Sequence, residues 1–295
     1  MSSILSAMSA LSRRYRLPDA TRIGAVRLQV ADVQRSIDYY SGVIGLRVIA
    51  HEAGGAALGV DGEPAALVFL QEKRGVTRVP SRGAFGLFHF AILLPDRSAL
   101  GRFASHTGEA GIRMGMADHL VSEALYLTDP DGLGIEVYAD RPRDQWRYQD
   151  QELVMATEPL DIRGVMASAA GSPWQGAPPG TSMGHVHLHV GDLEQAAAFY
   201  HTALGFDRTV WSYPGALFMS AGGYHHHLAT NTWSPGPSAT DSQARLLEWE
   251  LVVPGSGDAA AAASALRDSG YHSSESGDGW TAEDPWGTRV RIKPA

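Results

Sequence analysis

Residues 23–48, IGAVRLQVADVQRSIDYYSGVIGLRV, align without a gap with residues 183–208, MGHVHLHVGDLEQAAAFYHTALGFDR. Asp32 meets Asp192, Tyr40 meets Tyr200 and Gly45 meets Gly205, all at a constant offset of 160 positions. Several landmarks at one offset signal an internal repeat. Each copy opens with alternating apolar residues, Val26, Leu28 and Val30 or Val186, Leu188 and Val190, the period of a strand with one buried face. Asp32 and Asp192 then stand where a helix would be N-capped, and Gly45 and Gly205 offer turns that end it. Val33, Ile37 and Tyr40, and likewise Leu193, Ala197 and Tyr200, are spaced as one face of that helix.

Two looser copies begin at Phe88 (FHFAILLPDRSALGRFASHTGEAGI) and at Leu247 (LEWELVVPGSGDAAAAASALRDSGY). Each leads to a related hairpin, LYLTDPDGLGIEVYADRP from Leu125 and WTAEDPWGTRVRIKPA from Trp280. In both, Asp-Pro-X-Gly marks a turn between strands, and Glu136 and Arg291 occupy the same place beyond Asp129 and Asp284. Short strand candidates at 66–70 and 216–220 complete a β-α-β-β-β unit, so the chain reads as four such modules of an α+β protein. The expected layout is an N-terminal extension over 1–20, modules one and two over 21–145, a linker over 146–180 and modules three and four over 181–295. The Gly/Pro-rich segment GSPWQGAPPG, residues 171–180, is the clearest part of that linker.

Composition narrows the function. With 295 residues, 44% of them apolar, the chain can bury a substantial core. A formal charge of -8 and the lack of a sustained basic stripe argue against a nucleic-acid partner and favour a small organic one. Cysteine is absent, which leaves His, Asp and Glu as the metal ligands available and is compatible with the cytoplasm. The N-terminal segment carries Arg13, Arg14 and Arg16 after its apolar residues, the reverse of a signal peptide, and no apolar run approaches the roughly 20 residues of a membrane span.

GHVHLHVGDLEQAAAFYHTALGF from Gly184, the 125–142 hairpin and GYHHHLATNTW from Gly223 resemble the vicinal oxygen chelate superfamily, the glyoxalase, bleomycin resistance and extradiol dioxygenase fold, and especially its catechol 2,3-dioxygenase-like branch. The resemblance runs from about Ile23 to Ala295. It implies modules paired into half-barrel domains, each pair able to hold one divalent metal with ligands from two opening strands and one closing strand. The corresponding places here are Ala25, His89, His185 and Glu248 on the opening strands, with Glu136 and Arg291 on the closing ones. Pairing neighbours in sequence leaves both sites incomplete. Pairing modules two and three unites His89, Glu136 and His185, a two-histidine, one-carboxylate set suited to non-haem Fe(II), with Mn(II) or another divalent ion as the alternative. The outer modules would then form a metal-free pair. The same crossing resembles the hydroquinone-cleaving relatives.

The resemblance also implies roles for other residues. His226 would be the proton shuttle, flanked by His225 and His227 as substrate contacts, while Tyr126 and His119 would complete the catalytic group. A strand histidine is ordinarily a packing residue, and that reading is preferred for His187 and His189. Glu136, between Ile135 and Val137, would be costly to bury without a metal or cationic partner. The expected activity is ring cleavage of a small catecholic or hydroquinone-like aromatic by O2. The rivals are a glyoxalase- or epimerase-type metalloenzyme and a metal-free ligand-binding resistance protein. A homo-oligomer is an expectation of the family alone.

Overall fold

The computed structural model describes residues 15–80 and 83–295. Most of the expected N-terminal extension, residues 1–14, lies outside the described residues. Leu17 is buried and its amide donates to Gly205 O.

The alternating segments form the opening strands of each module: β1 (Arg22–Val30), β5 (Gly86–Leu93), β11 (Ser182–His189) and β15 (Arg245–Val253). Each is followed by a helix: α1 (Val33–Tyr39), α2 (Arg97–Glu109), α4 (Leu193–Ala196) and α5 (Ser256–Asp268). Asp32 and Asp192 cap as expected, accepting from the amides of Arg35 and Gln195 at 3.0 and 2.8 Å. After α1 and α4 the chain widens into π turns, Tyr40–Ile44 and Ala197–Ala203, before Gly45 and Gly205 reverse it at φ +83° and +98°. Only a residue without a Cβ adopts that conformation at little cost.

Closing strands complete the modules: β2 (Arg47–Glu52), β3 (Gly55–Gly59) and β4 (Ala66–Glu72) in the first, and β6 (Gly115–Asp118), β7 (Ser122–Thr128) and β8 (Gly134–Asp140) in the second. The third adds β12 (Asp207–Val210), β13 (Ala216–Ser220) and β14 (Leu228–Asn231), and the fourth β16 (Ser273–Ser276), β17 (Gly279–Glu283) and β18 (Arg289–Pro294). They assemble into two eight-stranded sheets. One has the order β12-β13-β14-β11-β5-β8-β7-β6 and the other β16-β17-β18-β15-β1-β4-β3-β2. The second and third modules therefore share one curled sheet through the antiparallel β5–β11 pair, and the first and fourth share the other through β1–β15. The crossed pairing expected from the ligand places is the observed one.

Period-two alternation sends one side of each opening strand into a common apolar core, with Val26 and Leu28 of β1 meeting Phe90 and Ile92 of β5 and Val186 and Leu188 of β11. Behind the sheets, the repeat landmarks bind one another. The Tyr40 hydroxyl donates to Asp129 at 3.2 Å and that of Tyr200 to Asp284 at 2.8 Å, so each buried tyrosine ties its own module to the next in sequence. Both aspartates also accept two backbone amides of their Asp-Pro-X-Gly turns. Hydrogen bonds behind the sheets thus join modules one to two and three to four, while strands in front join two to three and one to four.

Residues 146–180 carry a short hairpin, β9 (Tyr148–Gln149) with β10 (Glu152–Leu153), and a helix, α3 (Ile162–Ser168). The helix docks on α2, where Arg97 donates to Gly164 O at 2.8 Å. Between hairpin and helix, the backbone of Glu158 pairs with Asp118, and this lays residues 155–157 across the mouth of the sheet shared by modules two and three.

Candidate metal centre

The exposed side of the β5–β11 pair would ordinarily be polar and wet; here it is covered and buried. His185 on β11 faces Ala91 on β5, Ala91 pairs with Glu136 on β8, and Glu136 faces Tyr126 on β7. Four strands thus bring one row of side chains to one spot. His89 lies two residues before Ala91 and projects from the same face.

The three residues expected as ligands converge. Glu136 Oε2 lies 3.0 Å from His89 Nε2 and 3.0 Å from His185 Nε2, and the two imidazole nitrogens are 3.4 Å apart. Atoms bound at about 2.1 Å to one cation and at right angles to each other would lie about 3.0 Å apart. The spacing therefore suits one face of a six-coordinate site, with the remaining positions opening toward the cavity. All three side chains are buried. Burial alone would push the Glu136 carboxyl up, but His185 and His89 hold it well below the usual carboxylate range. Burial also lowers His185 to about 4, keeping its imidazole neutral. An ionised carboxylate and neutral imidazoles are the protonation states a divalent metal requires. The donor set fits such an ion.

A cavity of about 230 Å³ opens beside the triad. Its walls include Phe88, Met155, Tyr213, Phe218 and Trp233, with His226, His119 and Tyr126 at its polar end. The ring of His226 lies 4.0 Å from that of His185, and burial holds its imidazole well below the ordinary range. His119 donates from Nδ1 to Ala156 O at 2.7 Å, which fixes its tautomer and leaves Nε2 to accept from the Tyr126 hydroxyl at 2.6 Å. Burial and the neighbouring Glu136 raise that hydroxyl well above its usual range, so it stays protonated.

His225 and His227 do not line this cavity. In the irregular segment before β14 the three side chains take different directions. His226 turns to the triad, while His225 turns to Asp140 and His227 accepts from the Ala221 amide. His187 does line the cavity, held by the side-chain amide of Asn231, whose oxygen accepts from His189.

Sequence reasoning missed five contributors. Tyr138 and Asp140 follow Glu136 at period two on β8, a signal sufficient to place them on the same face. Met155, Ala156 and Thr157 carry no such signal, since the segment containing them reads as linker.

The sequence profile described as the Glyoxalase/Bleomycin resistance protein/Dioxygenase superfamily matches residues 22–137 and 182–292, together most of the chain. The chain belongs to that superfamily. Among curated proteins, a catechol-2,3-dioxygenase of Bacillus subtilis (strain 168) is 42% identical over 270 residues, covering 90% of this chain and 94% of the relative. Among solved structures, a candidate dioxygenase from Bacillus subtilis subsp. subtilis str. 168 superposes with a TM-score of 0.68 at 14% identity, covering 95% of this chain and 86% of that one. Glyoxalase I from Zea mays gives 0.55 at 18% identity, with 92% of each chain covered. At such identities the superpositions establish the superfamily fold and leave the chemistry to the site. Among the described residues, no helix is long and apolar enough to cross a membrane.

Proposed function

We propose that this protein is an extradiol dioxygenase, an oxidoreductase that uses Fe(II) and O2 to open the ring of a catecholic or hydroquinone-like aromatic. The observation that carries the reading is the buried two-histidine, one-carboxylate triad of His89, His185 and Glu136 opening onto an aromatic-walled cavity. The 42% identity to a catechol-2,3-dioxygenase over most of both chains supports the same chemistry.

Fe(II) held by the triad would supply open positions for both substrate oxygens and for O2, and a route for electrons between them. The protein's own groups do the rest. Phe88, Phe218 and Trp233 offer faces and edges to a planar ring and exclude water from it. Facing the cavity, His226 takes a proton from a substrate hydroxyl and later returns one to the departing oxygen. Tyr126 turns its hydroxyl proton from His119 to an oxygen on which negative charge develops, and His119, anchored by Ala156, holds the phenol in place until then.

The test is anaerobic purification, loading with Fe(II), and measurement of oxygen uptake and visible absorbance across a panel of catechols and hydroquinones. Uptake with the appearance of a yellow ring-opened product is expected for at least one catechol. Silence across the panel, with tight retention of nickel or zinc, would transfer the site to a glyoxalase- or epimerase-type reaction.

A further inference from the structure

Behind His226 runs a chain of hydrogen bonds for which the proposed reaction as stated has no use. Asp140 Oδ1 lies 2.9 Å from His225 Nε2, and His225 Nδ1 lies 2.7 Å from His226 Nδ1. The same carboxylate oxygen accepts from the Tyr224 hydroxyl at 3.2 Å, and Tyr138 in turn donates to Tyr224 at 2.7 Å. His225 is fully enclosed, whereas the Asp140 side chain retains 28% exposure and so reaches solvent.

The direction of these bonds follows from donor and acceptor counting. A carboxylate only accepts, so His225 Nε2 carries a proton. Where His225 carries only that one proton, its other nitrogen is a bare acceptor and His226 Nδ1 donates to it. The unprotonated nitrogen of His226 is then Nε2, the one not engaged with His225, on a ring that lines the cavity.

We infer that Asp140 and His225 are positioning residues that fix the tautomer of His226 and relay its proton, making it a base first and an acid afterwards. The inference rests on the shuttle role given to His226 above. When the substrate O–H bond breaks, its proton goes to His226 Nε2 as the Nδ1 proton of His226 passes to His225 Nδ1. No electrons are exchanged and the proton count is conserved. The positive charge comes to rest on His225, against the Asp140 carboxylate, instead of on a ring 4.0 Å from that of His185. His226 is left neutral, with an Nε2–H directed at the substrate, the form needed to return the proton. The reverse shift then restores the starting state. The logic is that of a serine hydrolase triad, with histidine in the nucleophile's place.

Two measurements test the relay. In the full-length protein loaded with Zn(II), histidine nitrogen NMR should show the His226 proton on Nδ1. In Asp140→Asn, whose amide can turn to donate to His225, the tautomers of both histidines should reverse. With Fe(II), kcat of that variant should fall by on the order of 10²-fold, with KM within about threefold and metal content unchanged. A wild-type His226 protonated on Nε2 would overturn the relay while leaving the shuttle role intact. A kcat within about threefold of wild type in a variant whose tautomers are unchanged would overturn it as well. Full activity in His226→Phe would remove both the shuttle and the relay. Should Asp140→Asn fail to fold, the wild-type spectrum decides alone.

Discussion

In the sheet of the middle modules, Ala91 stands between His185 and Glu136, and His89 faces His187. In the sheet of the outer modules the same register places Glu250 beside Arg291, with Glu250 accepting from the Ala25 amide, while Glu248 faces Arg27. One backbone plan thus carries two chemistries. The middle sheet encloses imidazoles and one carboxylate beside an apolar cavity. The outer sheet holds a cavity of about 280 Å³ lined by charges already satisfied by each other, Arg27 with Glu52 and Arg291 with Asp278, each pair at 2.8 Å. A cation at the position of Glu136 repels a metal, and a carboxylate at the position of Ala91 attracts basic side chains instead. The fold provides the site's geometry, and a handful of side chains decides whether a metal uses it.

The comparison breaks most visibly at the triad. His89→Ala, Glu136→Ala or His185→Ala should each weaken metal binding by on the order of 10³-fold or more, since a few ligands share the whole metal binding energy. Elemental analysis should find about one metal per chain in wild type and almost none in these variants, with the far-UV spectrum unchanged. Arg291→Ala and Glu248→Ala should keep the full metal content. Metal retained by Glu136→Ala, or lost with Arg291→Ala, would mean that the ion sits elsewhere.

A second contrast exchanges the residues between the histidine and closing-strand places. Ala91→Glu buries a carboxylate with no cationic partner and should cost roughly 3 kcal/mol or more, read as a fall in thermal midpoint. Glu250→Ala removes a hydrogen bond to the Ala25 amide at 3.1 Å and a contact with Lys293 at 3.8 Å. It should cost about 1 kcal/mol. Equal costs would show that the two sheets do not differ in polarity as argued.

Much of this was legible in the sequence for identifiable reasons. A constant offset between Asp32 and Asp192 or Tyr40 and Tyr200 survives because each residue performs one local task twice, a cap and a tie to the next module. The convergence of His89, Glu136 and His185 was readable because only one pairing of modules completes a ligand set. Burial at the mouth of the site was not readable. Met155, Ala156 and Thr157 reach it through the backbone pairing of Glu158 with Asp118, and backbone hydrogen bonds leave no mark on side-chain patterns. Nor did the run of three histidines reveal its division of labour, because whether His225 or His226 faces the triad depends on the twist of an irregular segment.

The ties behind the sheets sharpen the comparison on a smaller scale, since there the two halves of the chain should behave alike. Tyr40→Phe and Tyr200→Phe each leave a buried aspartate short of one donor and should cost about 1–2 kcal/mol, with the larger loss at the shorter Tyr200 bond. A negligible cost at either position would show that the repeated landmark does not tie modules together in that half.

The last effect is a dependence on pH at one of these ties. Burial raises the Asp129 carboxyl from 3.8 to about 6, against the lowering pull of its two backbone donors. Between about pH 4 and 6 the folded chain therefore holds a proton that the unfolded chain has released. The contribution to stability is fully present below pH 4, declines as pH rises through this window and is gone above about 6. A shift of about two units corresponds to at most roughly 3 kcal/mol. In Asp129→Asn the titrating group is gone while one side-chain oxygen remains to accept from the amides of Asp131 and Leu133. Thermal midpoints of metal-free wild type and variant, measured at pH 4.5 and pH 7, should therefore differ more in favour of wild type at the lower pH, by about 2–5 °C. Other titrating groups cancel in the difference. A gap that is constant with pH, or that favours wild type more at pH 7, would place the Asp129 carboxyl among ordinary ionised aspartates and leave its hydrogen bonds as the whole of its contribution.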